Sequence, residues 1–172
     1  MQEEFEDEVF RFVPGYDNYS VTSHGRIRNN ITDRILKPGL NGCGYYTVSL
    51  YKDGVKKTHK IHRLVAIVFV DNPENKGCVD HIDNNKKNNH VLNLRWCTST
   101  ENSQNRSMNN RNTSGVKGVT WDKRSQKWYA QIMINGKQKG LGYFVNIEDA
   151  KKARMTSANI EFNIYVNSCE RW

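Results

Sequence analysis

Asp80 and His81 open the densest polar stretch of this 172-residue sequence. An Asn- and Lys-rich run continues to His90, Asn93-Leu94-Arg95-Trp96 follows, and Thr98 to Asn102 closes the stretch. A carboxylate and an amide oxygen are hard donors of the kind that Mg²⁺ prefers. A neutral imidazole, with a pKa near ~6.5, can take a proton from water at neutral pH. These are the parts of metal-assisted hydrolysis, in which water attacks in line while a cation offsets the charge of the leaving oxygen. Taken singly, the same residues have plainer readings: Asp80 a turn residue, His81 a satisfied structural histidine, Asn93 a loop amide. Asp83 reads as a loop brace ahead of a metal ligand. The combination is what points to chemistry.

That combination needs a particular scaffold. Cys78 to His81 and Leu94 to Cys97 read as two short strands joined by the polar loop. Thr98 and Glu101 have capping-box spacing, so a helix should start there and carry Asn102 on its first full turn, pointing back at Asp80 and His81. Upstream, Ile61, Leu64, Val65, Val68 and Phe69 recur at helical spacing from about Lys60 to Val70, and Asn72-Pro73 ends that helix. His62 and Arg63 fall outside or at the edge of its apolar stripe. Residues 9–60 read as β-rich, with a hairpin turning at Asp53-Gly54, where both residues tolerate positive φ. Residues 115–166 read as three strands, with a second such turn at Asn135-Gly136, and a helix capped by Asn146 whose Ala150, Ala153 and Ser157 line one face. Trp128, Ala130, Ile132 and Ile134 should face that helix, and Tyr129, Gln131 and Met133 should face outward. The expected fold class is α+β: an N-terminal antiparallel sheet, a central strand–strand–helix unit and a C-terminal three-stranded antiparallel sheet with one packed helix.

Composition limits the partners. Lys and Arg number 26 against 18 Asp and Glu, a net charge of +8. Residues 1–22 hold six acids against Arg11, a net −5, so residues 23–172 carry a net +13. Positive charge spread over folded surface suits a polyanion, above all nucleic acid. Only 37% of residues are hydrophobic, which favours small modules over one deep core. No apolar run is long enough to span a membrane, and the acidic first residues do not form a secretory signal. Cys43, Cys78, Cys97 and Cys169 make no C-x-x-C pair, against both a zinc site and a disulfide scaffold. Free thiols in a reducing compartment are expected.

From His62-Arg63-Leu64-Val65-Ala66 through D-H-x-D-x-x-x-x-N-N and N-L-R-W to Asn102, the residues resemble the HNH nuclease motif of phage-type homing endonucleases. That resemblance implies a ββα-metal fold in which Asp80 and Asn102 bind the metal, His81 is the general base and Asn93 orients it. Mg²⁺, or Mn²⁺ in its place, would be the cofactor, with no structural zinc. Trp96 is expected in the core beneath the site; His24, His59 and His90 receive no role. Phe12-Val13-Pro14-Gly15-Tyr16, Tyr19-Ser20-Val21 and Gly25-Arg26-Ile27-Arg28 resemble the NUMOD modules of homing endonucleases, although the usual leading Trp is missing. Arg26, Arg28, Lys37, Lys56, Lys57, Lys60 and Arg63 would then hold phosphates.

Residues 115–163 resemble the Apetala/ethylene-response-factor (AP-two) DNA-binding domain, through Val116-Lys117-Gly118-Val119, Lys127-Trp128, Leu141-Gly142-Tyr143-Phe144 and Glu148-Asp149-Ala150. Lys117, Thr120, Lys123, Arg124, Gln131, Lys137 and Lys139 would be its contacts. Met133 and Gly140 stand where the plant domains place Arg and Trp, so guanine readout should be weaker. The expected organisation is an acidic leader (1–8), a NUMOD-like module (9–60), the nuclease (61–106), a linker (107–114) and the C-terminal DNA-binding domain (115–172). The implied activity is metal-dependent nicking of double-stranded DNA by a monomer with one active site. It would act inside the host cell of a phage or virus, in the cytoplasm, or in the nucleus of a eukaryotic host. A DNA-binding regulator with an inactive nuclease unit and an RNA-binding protein are the competing readings.

Overall fold

A computed structural model describes residues 8–171, so the acidic leader lies outside the described residues except for Glu8. The chain packs as two compact units, one through Thr98 and one from Ser99 onward. This differs from the three modules expected. The reason is a shared core: Val13, Val21 and Ile27 of the first strands and Val79 and Leu94 of the nuclease segment bury against the same helix.

In the first unit, β1 (Phe10–Val13), β2 (Tyr16–Thr22), β3 (Ile27–Asn29) and β4 (Arg34–Ile35) form an antiparallel sheet in sequence order. A second sheet comprises β5 (Gly39–Leu40), β6 (Tyr46–Lys52) and β7 (Val55–Lys60). Asp53 and Gly54 turn β6 into β7 with positive φ, as their types require. Helix α1 (Ile61–Phe69) then buries Ile61, Leu64, Val65 and Ala66. Full burial of each larger aliphatic side chain contributes about 1.5–3 kcal/mol. One further residue joins that buried set. His62, expected at the edge, is 4% exposed. The antiparallel pair β8 (Cys78–His81) and β9 (Leu94–Cys97) completes the unit, with Asp80 opposite Arg95 and His81 opposite Leu94. Trp96 is half-buried, packs against this core and donates its indole N–H to the Val70 carbonyl at 3.0 Å.

The second unit begins with the short helix α2 (Ser99–Gln104). Strands β10 (Val119–Asp122), β11 (Lys127–Ile134) and β12 (Lys137–Phe144) form an antiparallel sheet in sequence order. Helix α3 (Ile147–Phe162) packs on it, capped by Asn146, whose side chain accepts from the Glu148 N–H. The packed stripe is Ala150, Arg154, Ala158 and Phe162, at i+4 steps; Ala153 and Ser157 lie beside it, half-buried. A charged residue in that stripe was not anticipated. Arg154 finds its counter-charge in Glu170, at 2.7 Å, which also meets Lys117 at 2.7 Å. The expected linker is partly built into the sheet: the Ser114 hydroxyl donates to the Val119 carbonyl at 2.6 Å.

Candidate active site

The central pair lies at the end of a strand buried on both faces. On β8, Val79 enters the core while Asp80 and His81, both buried, sit at the strand end where the polar loop begins. Opposite Asp80, Arg95 donates from Nε at 3.0 Å and from Nη2 at 2.7 Å to the same carboxylate oxygen, Oδ2. An ion pair this buried costs desolvation, and the two-point geometry is what offsets it. Its product is a carboxylate with a fixed direction. Arg95 carried no assigned role in the sequence, although its N-L-R-W position across from Asp80 was visible once the two strands were paired.

The His81 ring packs against Asn89, His62 and Tyr45. Its Nε2 lies 3.3 Å from Asn89 Oδ1. Because that oxygen only accepts, the contact favours the tautomer with the proton on Nε2 and the lone pair on Nδ1. The second neighbour is His62, whose ring centroid is 4.8 Å away, and the third is Tyr45, at 5.9 Å. Burial lowers the His81 pKa below 6.5, against the opposing effects of the Asn89 hydrogen bond and the Asp83 and Asp80 charges. His62 is pushed down to about 3 by burial, then by His81, Lys60 and Arg63. Both rings are therefore neutral at pH 7.

Asn93 braces the polar loop. Its Nδ2 donates to Asp83 Oδ1 at 2.9 Å and to the Asn88 carbonyl at 2.8 Å, and its Oδ1 accepts from the Asp83 N–H at 3.0 Å. Its own carbonyl accepts from the Ile82 N–H at 2.9 Å. It therefore holds the two ends of the polar loop together, next to Asn89, which contacts His81. Asp83 is the loop brace expected: burial opposes its ionisation, but hydrogen bonds from Asn88, the Asn85 N–H and Asn93 hold its carboxyl below the usual range. Asn102 is exposed on α2, in the second unit.

Comparison with known proteins follows this geometry. Residues 59–104 match the HNH endonuclease family and residues 8–51 the NUMOD4 motif. A solved structure of the HNH homing endonuclease I-HmuI, described by its DNA binding and cleavage, superposes with a TM-score of 0.56. It is 30% identical and covers 84% of this chain and 82% of that one. The chain belongs to the HNH endonuclease family. The DNA endonuclease I-HmuI of Bacillus phage SP01 is 39% identical over 54% of this chain and 54% of its own length. An uncharacterized HNH endonuclease of Acanthamoeba polyphaga mimivirus is 44% identical over 50% of this chain and 26% of its own. The chain thus spans about a quarter to a half of the curated relatives it matches.

Within this HNH protein, the candidate DNA contacts divide. Lys56 and Lys60 share one face of the second sheet with Ser49 and Thr58, and Lys60 sits 4.7 Å over the Tyr45 ring. Lys86, not anticipated, sits over the same ring at 4.9 Å and donates to the Cys43 carbonyl. Two cations therefore flank the aromatic that touches both site histidines. Lys57 pairs with Leu50, so alternation turns it to the other face. Arg26 is bonded to Glu8, Arg28 lies 4.2 Å over Phe10 and 3.6 Å from Asp33, and Arg63 donates to the Gly77 carbonyl. Exposed Lys37 lies between the two sheets' strands.

In the second unit, Thr120 and Gln131 face outward, and Lys123 and Arg124 occupy the exposed turn between β10 and β11. Lys137 and Lys139 pair with Ile134 and Ile132, which places them on the helix side, where Lys139 meets Glu161 at 3.5 Å. Lys117 is committed to Glu170. The unassigned histidines also have partners: His59 bonds the Tyr16 hydroxyl at 2.9 Å, and His24 and His90 pack ring on ring at 4.4 Å.

Proposed function

We propose that this chain hydrolyses phosphodiester bonds of double-stranded DNA, nicking one strand per binding event with a divalent cation. The observation that carries the reading is the buried Asp80–His81 pair, with Arg95 fixing the carboxylate and Asn89 holding the imidazole Nε2. His81 Nδ1 takes the proton of the attacking water, and Asn89 keeps the other nitrogen's proton in place while it does so. Asn93 acts one step back, by closing the loop that carries Asn89.

The donor chemistry fits a hard cation: Asp80 is a buried, directed carboxylate, and the family resemblance adds the amide oxygen of Asn102. Mg²⁺, or Mn²⁺, is the proposed ion; when bound it would polarise the phosphate and offset the charge of the departing 3′ oxygen. Among the described residues no three His, Cys, Asp or Glu side chains converge on a common point, so DNA oxygens and water are proposed to complete the shell. Lys56, Lys60 and Lys86 are proposed to hold the backbone of the cleaved strand near the histidines. The C-terminal sheet is proposed to dock on duplex DNA in the manner of the AP-two domain, with the turn residues Lys123 and Arg124 on phosphates. The chain is proposed to act as a monomer inside the host cell of a virus or phage.

Supercoiled plasmid nicking with Mg²⁺ tests this reading. His81→Ala should lose nicking and keep DNA affinity. Binding by the parental protein without any metal-dependent nicking would instead establish a DNA-binding regulator.

A further inference from the structure

The outward face of the C-terminal sheet has a composition unlike an ordinary phosphate-binding surface. By register, its strand positions are Thr120 and Asp122 on β10, Lys127, Tyr129, Gln131 and Met133 on β11, and Gln138, Gly140 and Tyr143 on β12. The charged two, Asp122 and Lys127, pair with each other at the turn end, and the remaining positions carry no charge. Tyr129 and Tyr143 pack with ring centroids 4.8 Å apart and planes tilted by 34°. Tyr129 lies across β12: a Cβ at position 140 would come within 2.7 Å of its hydroxyl, so Gly140 keeps the face low. Met133 is 54% and Tyr143 55% exposed. Gln138 Nε2 donates to Gln131 Oε1, which locks the two amides together. The coupled pair presents one donor, Gln131 Nε2, beside one acceptor, Gln138 Oε1.

The surroundings of this face are basic. Residues 99–172 hold twelve Lys and Arg against six Asp and Glu. Lys123 and Arg124 sit exposed at one end of the sheet, and Asp122, the acid beside them, is committed to the turn through the Arg124 N–H and the Ser125 hydroxyl. Phosphate anchors at the end of a face whose central positions are uncharged and hydrogen-bonding fit a base-reading element laid in the major groove.

We infer that this face selects A·T pairs: the Gln131–Gln138 array reads adenine and Met133 packs on the neighbouring thymine methyl. The inference rests on the proposal that the sheet docks on duplex DNA. Guanine is read by Arg or Lys through O6 and N7; the positions around Gln131, Gln138 and Met133 carry neither, and Lys127, the one Lys of the face, stands at its turn end beside Lys123 and Arg124. Adenine offers N7 as acceptor and N6–H as donor, the complement of the amide pair. An apolar side chain at 54% exposure beside that pair supplies the methyl contact.

The test is selection of bound sites from a randomised duplex pool by the full chain in EDTA, which removes cleavage. Enrichment of adjacent A·T pairs is expected. Gln131→Ala should cut the preference for A over G at one position by about ten- to a hundredfold, and Gln131→Arg should move that position towards G. Enrichment of G·C pairs, or a base preference indifferent to both variants, overturns the inference. Single-stranded oligonucleotides outcompeting duplex at matched salt would also overturn it, in favour of base stacking on Tyr129 and Tyr143. A Lys123→Ala/Arg124→Ala/Tyr143→Ala variant separates the two levels. If it leaves duplex affinity and selected sites unchanged, the docking proposal itself fails. If it weakens binding while Gln131→Ala changes no preference, only the A·T assignment fails.

Discussion

Replacing Asn89 by alanine removes the acceptor that faces His81 Nε2 at 3.3 Å and leaves the backbone of the loop intact. Both groups are buried, so the lost bond is not replaced freely by water. A net hydrogen bond contributes about 0.5–1.5 kcal/mol, and a buried donor left unpaired costs about 1–3 kcal/mol. Either relaxes the tautomer bias that leaves Nδ1 unprotonated. Between 1 and 3 kcal/mol of lost bias is about a five- to 150-fold loss in the nicking rate constant, given tenfold per ~1.4 kcal/mol. Single-turnover nicking of supercoiled plasmid in saturating Mg²⁺ measures it, with filter binding in EDTA as the control for affinity.

Asn89→Asp separates this account from simple packing. It keeps the acceptor and adds a negative charge, which raises the His81 pKa and moves the acid limb of the rate profile upward. Its nicking should hold at pH 8 and fall at pH 6, whereas Asn89→Ala falls across the range. Parental rates for Asn89→Ala at every pH, with affinity unchanged, would refute the assignment.

Other outcomes follow from the same geometry. With the His81 pKa below 6.5, the acid midpoint of nicking by the parental protein should fall below pH 6.5. His62 is neutral in the fold down to about 3 but titrates near ~6.5 when unfolded, so the unfolded state binds the extra proton. Stability to urea should therefore fall as pH drops from about 6.5 towards 3, and His62→Gln should flatten that slope. Gly25 has φ +88, and a Cβ there would lie 2.9 Å from Asn89 Cβ and 3.0 Å from Ile61 Cγ2. Gly25→Ala should lower both thermal stability and nicking, an effect reaching the site from the NUMOD4 segment. Glu170 is 2% exposed between Arg154 and Lys117; Glu170→Gln leaves two cations in its place and should cost the second unit about 3–5 kcal/mol by urea unfolding.

Much of the chain was legible from local rules. Asp53-Gly54 and Asn135-Gly136 turn hairpins because Gly, and Asp or Asn, accept positive φ at small cost, and that rule needs only neighbours in sequence. The α1 stripe, the three C-terminal strands and the Asn146 cap are equally local. Asp80 and His81 could be singled out because the types and spacing of the whole polar stretch limit its chemistry. Partner choice is different, since it depends on which side chains meet after the strands pair. That Asn89 faces His81 while Asn93 braces Asp83 depends on how the polar loop folds back, and several asparagines in one loop are indistinguishable by type. Lys139 points to the helix because the two-residue turn pairs it with Ile132, which packs against α3, a relation set once the strands are in register. His62 and Arg154 enter packed faces because a partner across the core accepts them, which helical periodicity alone does not register. Residue types and their order determined the fold class and singled out the Asp80–His81 pair. The tertiary structure decided which side chain holds which, because burial, register and charge pairing are relations between segments distant in sequence.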